Sequence, residues 1–185
     1  RRIFESVIDE GFAAATVHGR TVKQKYDGPS RWPFLAELAQ RYRVELSRGF
    51  GIFGSGDIFS PHAVLEMLRQ TGVRAVSIAR GCIGDPWIFE QVRALRRGKP
   101  IIPPTIEQQR DVLAEHFELS VGLHGEQQAG RMMRKFGIKF SRHHPQGEQV
   151  KDAFIRVRTL DDWHAVLAEF YGARANVSQG VWMRA

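Results

Sequence analysis

The fold class is decided by Gly51-Ile52-Phe53-Gly54, a short apolar run that is followed at once by Ser55-Gly56-Asp57. The run is too short for a helix, and it ends in small and polar residues, as a strand does at the mouth of a parallel sheet. Two further apolar runs, at 13–17 and 75–79, have the same form. Amphipathic segments lie between the runs, so residues 1–98 predict three βα units.

The two connecting segments show helical spacing at 32–43 and 61–70. Ser60 precedes Pro61, which is the order expected of an N-cap and a first helical residue. Gly72 follows the second segment and predicts a C-terminal cap. These signals favour α/β structure throughout the first half of the chain.

A closed (β/α)₈ barrel needs eight strands and roughly 250 residues, whereas three units alone leave a sheet with open edges. We therefore interpret residues 1–98 as the last three βα units of a TIM (β/α)₈ barrel. On this interpretation the 185 residues are the C-terminal part of a longer protein.

The pattern changes from Lys99 onwards, because Pro100, Pro103 and Pro104 stiffen the backbone and predict a linker at 99–104. The following region, 105–172, has no strand signal and predicts a small four-helix bundle. The tail at 173–185 lacks periodicity, and we expect it to be disordered.

The helices of this region are expected near 105–121, 125–143, 146–156 and 160–171. Thr105 with Gln108, and Thr159 with Asp162, are spaced as capping boxes at the start of the first and last helix.

Charge favours a polyanionic partner, since the formal net charge is +7 and the pI is about 10.1. Residues 127–147 contain five Lys or Arg and no acid, and a second acid-free cluster lies at 93–99. On a helix the side chains of Arg131, Lys135, Lys139 and Arg142 fall within about 80° of one another. This face is either a phosphate-binding surface or a solvated face, and the lack of acids favours phosphate.

Three constellations follow the predicted strands. His18 and Arg20 come after the first, and Gly54-Ser55-Gly56-Asp57 ends the second. Ala79-Arg80-Gly81, with Gly84-Asp85-Pro86 starting a short helix, follows the third. In TIM barrels the loops after the last two strands commonly bind phosphate, so the second and third constellations together predict a phosphate site. The first is equally consistent with a histidine that satisfies a loop carbonyl and a solvated arginine, and the second alone favours a tight turn.

Other classes of site are disfavoured. No apolar run approaches the roughly 20 residues of a membrane span. His143 and His144 are adjacent rather than at ligand spacing, so no metal site is predicted. The lone cysteine, Cys82, has no base nearby in sequence; it favours a packing role and a reducing, cytoplasmic environment.

These motifs resemble the tRNA-dihydrouridine synthase family, over about residues 1–171. The resemblance is carried by Thr16-Val17-His18-Gly19-Arg20-Thr21, Gln24, Tyr26, Gly28, Gly56-Asp57-Ile58, Thr71-Gly72, Arg80-Gly81 and Gly84-Asp85-Pro86-Trp87-Ile88-Phe89. The family has an FMN-binding TIM barrel followed by a helical tRNA-binding domain. It reduces selected tRNA uridines to 5,6-dihydrouridine with FMN, which NADPH reduces.

The resemblance implies roles for residues of this chain. The residues assigned to FMN are His18, Ser55, Gly56, Asp57, Ala79, Arg80 and Gly81. The residues assigned to tRNA are Arg20, Arg131, Arg134, Lys135, Lys139 and Arg142. The family's catalytic cysteine, a general acid, corresponds to a position upstream of Arg1, so no catalytic residue is assigned and we expect this chain to be inactive alone.

We expect a monomer whose partner is tRNA and which binds neither membrane nor metal. Two alternatives stay open at this stage. One is another FMN-dependent TIM-barrel oxidoreductase, against which the basic helical region argues. The other is a non-catalytic RNA-binding module, which would hold no flavin.

Overall fold

The computed structural model describes residues 2–172, which form two compact units that divide between Ile101 and Ile102. The division lies inside the proline-rich segment 99–104. The expected disordered tail, 173–185, lies outside the described residues.

The first unit is a three-stranded parallel sheet with helices between and around its strands. Its helices are α1 (Arg2–Asp9), α2 (Trp32–Arg41), α3 (Arg43–Ser47), α4 (Pro61–Thr71) and α5 (Ile88–Arg96). Its strands are β1 (Ala14–His18), β2 (Gly51–Ser55) and β3 (Ala75–Ser77), in the order β1-β2-β3. Both pairings are parallel, so the predicted βα alternation is confirmed and the carboxyl ends of the strands share one edge.

The core of this unit lies between the sheet and its helices α2 and α4. Leu35, Ile52 and Met67 are fully buried there. A Cβ on Gly54 would lie 2.7 Å from the sulfur of Met67, so the glycine of β2 allows α4 to pack closely on the strand.

Both ends of α4 are capped as predicted. The Ser60 hydroxyl accepts a hydrogen bond from the Ala63 N–H at 3.1 Å, and Pro61 occupies the first turn. Gly72 ends the helix in the left-handed region, with φ of 69°. Capping therefore fixes where α4 begins and ends.

Two boundaries differ from the prediction. The helix expected over 32–43 breaks at Tyr42, whose buried ring packs on Phe4 at a centroid distance of 4.7 Å. The third strand ends at Ser77 rather than at 79, because a 3₁₀ turn over Arg80–Cys82 follows it. Both differences come from tertiary packing and loop geometry, which periodicity does not encode.

The second unit is all-helical in its described part. Its helices are α6 (Ile106–His124), α7 (Glu126–Phe140), α8 (Gly147–Arg156) and α9 (Leu160–Tyr171), with a 3₁₀ turn over Ser141–His143. All four helices were predicted, although α7 ends at Phe140 rather than at 143. Both capping boxes are confirmed: Thr105 pairs with Gln108, and Thr159 pairs with Asp162.

Aromatic residues form the centre of the second unit. The Trp163 ring lies 4.8 Å from the Phe117 ring and 4.8 Å from the Phe154 ring, measured between centroids. Helix α6 packs on α7 and α9, and α8 packs on α7 and α9. This packing fixes which face of α7 is left to solvent.

Acidification is expected to destabilise this unit through His116, whose ring lies 4.7 Å from that of Phe136. Burial lowers the pKa of His116 below its ordinary value, although Glu115 opposes the shift. The folded state therefore favours the neutral ring, and stability is lost as pH falls below the unfolded pKa of about 6.5. We expect the Tm to fall further between about pH 7.5 and about pH 5.5 in the wild type than in His116→Gln. An equal fall in both proteins would contradict this assignment.

Candidate functional site

The loops after the three strands meet in one pocket at the carboxyl edge of the sheet. The pocket is lined by His18, Ser55, Gly56, Asp57, Ile58, Phe59, Ser77, Ala79, Arg80 and Gly81. The structure thus brings together all seven residues that the resemblance assigns to the cofactor. The enclosed space is about 20 Å³, which is room for one water-sized group. Such a pocket would receive the end of a ligand rather than the whole of one.

An ion pair between Arg20 and Asp57 stabilises one side of the pocket. Nη1 of Arg20 donates to Oδ1 of Asp57 at 2.7 Å, and Nη2 donates to Oδ2 at 2.6 Å. Nη2 also donates to the Gly28 carbonyl at 2.6 Å, and only 5% of the Arg20 side chain is exposed. The guanidinium therefore holds Asp57 and the 20–28 loop together, and it does not point outward as a tRNA contact would require.

Asp57 is ionised at neutral pH. Burial by itself raises the pKa of Asp57, but hydrogen bonds from Arg20 and from the Ser30 N–H outweigh burial and lower the pKa below its ordinary value. Its backbone has φ of 56°, which is uncommon for a residue other than glycine. Arg20 and Arg80 together carry two positive charges against this single carboxylate, so the cluster keeps a net charge of +1.

Arg80, which lines the pocket, lies close to two aromatic rings. Its guanidinium carbon is 4.2 Å from the Tyr26 centroid and 5.3 Å from the Phe59 centroid. Its Nη2 is also 3.6 Å from Oδ1 of Asp57, and 41% of its side chain is exposed. These contacts hold the guanidinium in place, and the exposed part of the side chain is available to an anion.

His18 offers a hydrogen-bond donor to the pocket. The Arg20 backbone N–H donates to Nδ1 of His18 at 3.1 Å. Nδ1 therefore carries no proton, and in the neutral ring Nε2 is the protonated nitrogen. His18 can donate to a ligand oxygen through Nε2.

The loop after β3 also carries backbone N–H groups that no acceptor within residues 2–172 takes up. Gly81 is buried against the carbonyl oxygen of Ile58, and a Cβ on Gly81 would overlap that oxygen. Within residues 2–172, the N–H groups of Arg80 and Gly81 have no hydrogen-bond acceptor. Donors without an acceptor, beside a positively charged side chain, suit an anion such as a phosphate.

Cys82 lies on the 3₁₀ turn and is outside the set of residues that line the pocket. Its thiol donates to the Ala79 carbonyl, with 3.0 Å between sulfur and oxygen. The structure thus gives the cysteine a local contact and no ligand-facing position.

The basic face of α7 is exposed. Arg131, Lys135 and Lys139 are exposed on α7, as is Arg142 in the turn that follows it. The opposite face, with Ala129, Met133 and Phe140, is buried.

Arg134 is half-buried and lies with Arg131 in a groove beside the turn between α8 and α9. The same groove is lined by Arg158, which no sequence pattern had indicated. Arg158 is 24 positions away from Arg134 and shares no periodicity with α7, so only the packing of the helices reveals the pair. Tyr26 and Phe59 were likewise given no role, since two rings on separate loops show no common pattern.

Two classes of site are not seen in the described part of the chain. No group of three or more His, Cys, Asp or Glu residues within 2–172 could hold a metal ion. No helix in the same range combines the length and the apolar character that a membrane crossing needs.

Comparison with known proteins adds an independent result. The family model "Dihydrouridine synthase (Dus)" matches residues 2–174. A probable tRNA-dihydrouridine synthase of Mycobacterium leprae (strain TN) is 34% identical over 165 residues, which are 89% of this chain and 42% of that protein. The tRNA-dihydrouridine synthase B of Xanthomonas axonopodis pv. citri (strain 306) is 32% identical over 166 residues, covering 89% and 48%.

A probable tRNA-dihydrouridine synthase of Treponema pallidum (strain Nichols) is 30% identical over 167 residues, covering 89% of this chain and 48% of that protein. The chain thus spans about half the length of the curated relatives that it matches. The family model covers both units, including the strand ends that form the pocket and the basic face of α7. The chain therefore belongs to the dihydrouridine synthase (Dus) family.

Proposed function

We propose that this chain is part of a tRNA-dihydrouridine synthase, which reduces selected uridines of tRNA to 5,6-dihydrouridine with FMN and NADPH. Family membership supports the reaction. The observation that carries the cofactor assignment is the convergence of three strand-end loops on a pocket with anion-binding groups.

The residues of the pocket fit the phosphate end of FMN. Arg80 supplies positive charge, and the N–H groups of Arg80 and Gly81 supply donors that lack an acceptor within residues 2–172. His18 supplies a further donor through Nε2. Asp57 binds no anion itself; it holds Arg20, Arg80 and the Ser30 N–H in place. FMN, when bound and reduced by NADPH, would supply the hydride.

The two units take different parts in this proposal. The first unit is part of a TIM barrel, as its parallel sheet and the strand-end pocket suggest. The second is a four-helix bundle that holds tRNA through the phosphate backbone. The proposed contacts are Arg131, Arg134, Lys135, Lys139 and Arg142. Binding along the tRNA would offset the few kcal/mol that flipping a uridine out of its stack costs.

We also propose that these 185 residues do not reduce uridine by themselves. Reduction needs a proton donor as well as a hydride. The sequence has one cysteine, Cys82, and its thiol donates to the Ala79 carbonyl outside the pocket. Uridine reduction by the purified chain would contradict this part of the proposal. The single free cysteine also suits a reducing, cytoplasmic compartment.

Flavin titration tests the cofactor assignment. We expect Arg80→Ala to weaken FMN binding by about tenfold, because one charge-assisted contact to phosphate is lost. Riboflavin lacks the phosphate, so its affinity should be the same in both proteins. Flavin fluorescence measures both ligands, and Arg93→Ala, which removes an exposed charge outside the pocket, is the matched control.

The outcomes separate the alternatives. Equal losses for FMN and riboflavin would show that Arg80 supports the fold and not the phosphate. A chain that binds tRNA but neither flavin would favour the non-catalytic RNA-binding module. Flavin binding without tRNA binding would favour another FMN-dependent oxidoreductase.

A further inference from the structure

A positively charged groove runs along the second unit between α7 and the turn from α8 to α9. It is lined by Arg131, Arg134 and Arg158, with Glu126 as the one acid, so its lining has a net charge of +2. Its volume is about 620 Å³, which is larger than a single phosphate group requires. Arg158 is exposed, and its side chain belongs to a different segment from the other two arginines.

The backbone that carries Arg158 is held at three points. The preceding residue, Val157, is 1% exposed and lies in the core of the unit. Oδ2 of Asp162 accepts hydrogen bonds from the N–H of Arg158 at 2.8 Å and from the N–H of Thr159 at 3.0 Å. On the other side the Arg158 carbonyl lies against Gly130 of α7, where a Cβ would come within 2.7 Å of its oxygen.

These contacts fix the position of the Arg158 backbone, from which its side chain extends, relative to α7. Gly130 precedes Arg131 directly, so close packing at the glycine brings Arg158 next to the basic face. Asp162 already takes both backbone N–H groups at the turn. An anion in the groove would therefore be bound by guanidinium groups and not by these two N–H groups.

We propose that Arg158 completes a phosphate-binding site with Arg131 and Arg134, and that this site takes a backbone segment of tRNA. The inference rests on the proposed function, in which the second unit holds tRNA. Three guanidinium groups on two segments can bind adjacent phosphates of one strand, whereas a face on α7 alone presents charges only along its axis. The size of the groove and its charge both favour a polyanionic chain.

The test is tRNA binding by the 185-residue chain, followed by fluorescence anisotropy of a labelled unmodified transcript across a salt series. We expect Arg158→Ala to weaken binding by about fivefold to tenfold and to lower the salt slope by about 0.7 to 0.9, as the loss of one phosphate contact does. Arg156→Ala is the matched control, since Arg156 is exposed, carries the same charge and does not line the groove. It should change the affinity by less than about twofold.

Two further variants separate binding from folding. Arg158→Lys keeps the charge and should restore most of the salt slope, although it loses bidentate contact. Gly130→Ala should displace the turn and weaken tRNA binding even though it removes no charge. If Gly130→Ala does not fold, Arg158→Ala still decides the question, because an exposed side chain contributes little to the fold.

The inference would be overturned if the wild type binds tRNA in a salt-dependent way and Arg158→Ala has the same affinity and salt slope as Arg156→Ala. The tRNA-binding role of α7 would survive that result. No tRNA binding by the wild type would overturn both proposals. Displacement of tRNA by inorganic phosphate at matched ionic strength would instead assign the groove to a free phosphate compound.

Discussion

Replacing Arg131, Arg134 and Lys135 together with Ala is expected to weaken tRNA binding by about 100-fold at moderate salt. The loss follows from the position of these residues, because Arg131 and Lys135 are exposed on α7 opposite the buried Ala129 and Met133, and the half-buried Arg134 lines the groove. Each phosphate contact releases counterions when it forms, so the slope of log affinity against log salt should fall by about 2.

A control with the same change in net charge separates local contact from general basicity. Arg43, Arg48 and Arg69 are exposed in the first unit and line no part of the groove beside α7. Their joint replacement with Ala should leave the salt slope within about 0.5 of the wild type. If both triple variants lose the same tRNA affinity, net charge alone accounts for tRNA binding, and the basic face of α7 does not form a specific contact surface.

The second large effect is expected at the ion pair between Arg20 and Asp57. Arg20→Ala leaves Asp57 without its bidentate partner, and Asp57→Ala leaves a guanidinium that is only 5% exposed without a counter-charge. Each single change should lower the free energy of unfolding of the first unit by about 2 to 3 kcal/mol. The double change should cost about 2 kcal/mol less than the sum of the two, because no unpaired charge remains.

Urea unfolding followed by circular dichroism measures this cycle. The exposed pair of Lys151 and Glu148 is the control, since a solvated ion pair of 3.1 Å contributes little. Additive effects at Arg20 and Asp57 would show that the two groups act independently. Because the pKa of Asp57 is lowered in the folded state, its contribution should be lost as pH falls below about 4.

Periodicity and caps predicted most elements of the fold. The apolar run at 51–54 became β2, and Ser60, Pro61 and Gly72 delimited α4 as expected. Such signals are local, so they can be found without knowledge of the rest of the molecule. The break at Tyr42 was missed because it depends on packing against Phe4, a residue 38 positions earlier in the chain.

The candidate site was predictable in its composition but not in its electrostatics. Residues at strand ends must share an edge in a parallel sheet, so the meeting of His18, Asp57 and Arg80 followed from the strand assignments. The sequence does not show which basic side chain forms an ion pair with Asp57, because that depends on the directions in which the side chains extend. Arg20 was expected among the tRNA contacts, whereas in the structure its guanidinium is buried against Asp57.

The contacts of Arg80 with Tyr26 and Phe59 have a consequence for the thermodynamics of ligand binding. An arginine that is immobilised only on binding gives up as much as about 2 kcal/mol of rotamer entropy at that moment. Here the two rings restrict the Arg80 side chain as soon as the chain folds, so its rotamer entropy is lost during folding and not during binding. An incoming phosphate would then meet a guanidinium that is already ordered. Loosening either ring should make anion binding entropically less favourable even though no contact to the anion is removed.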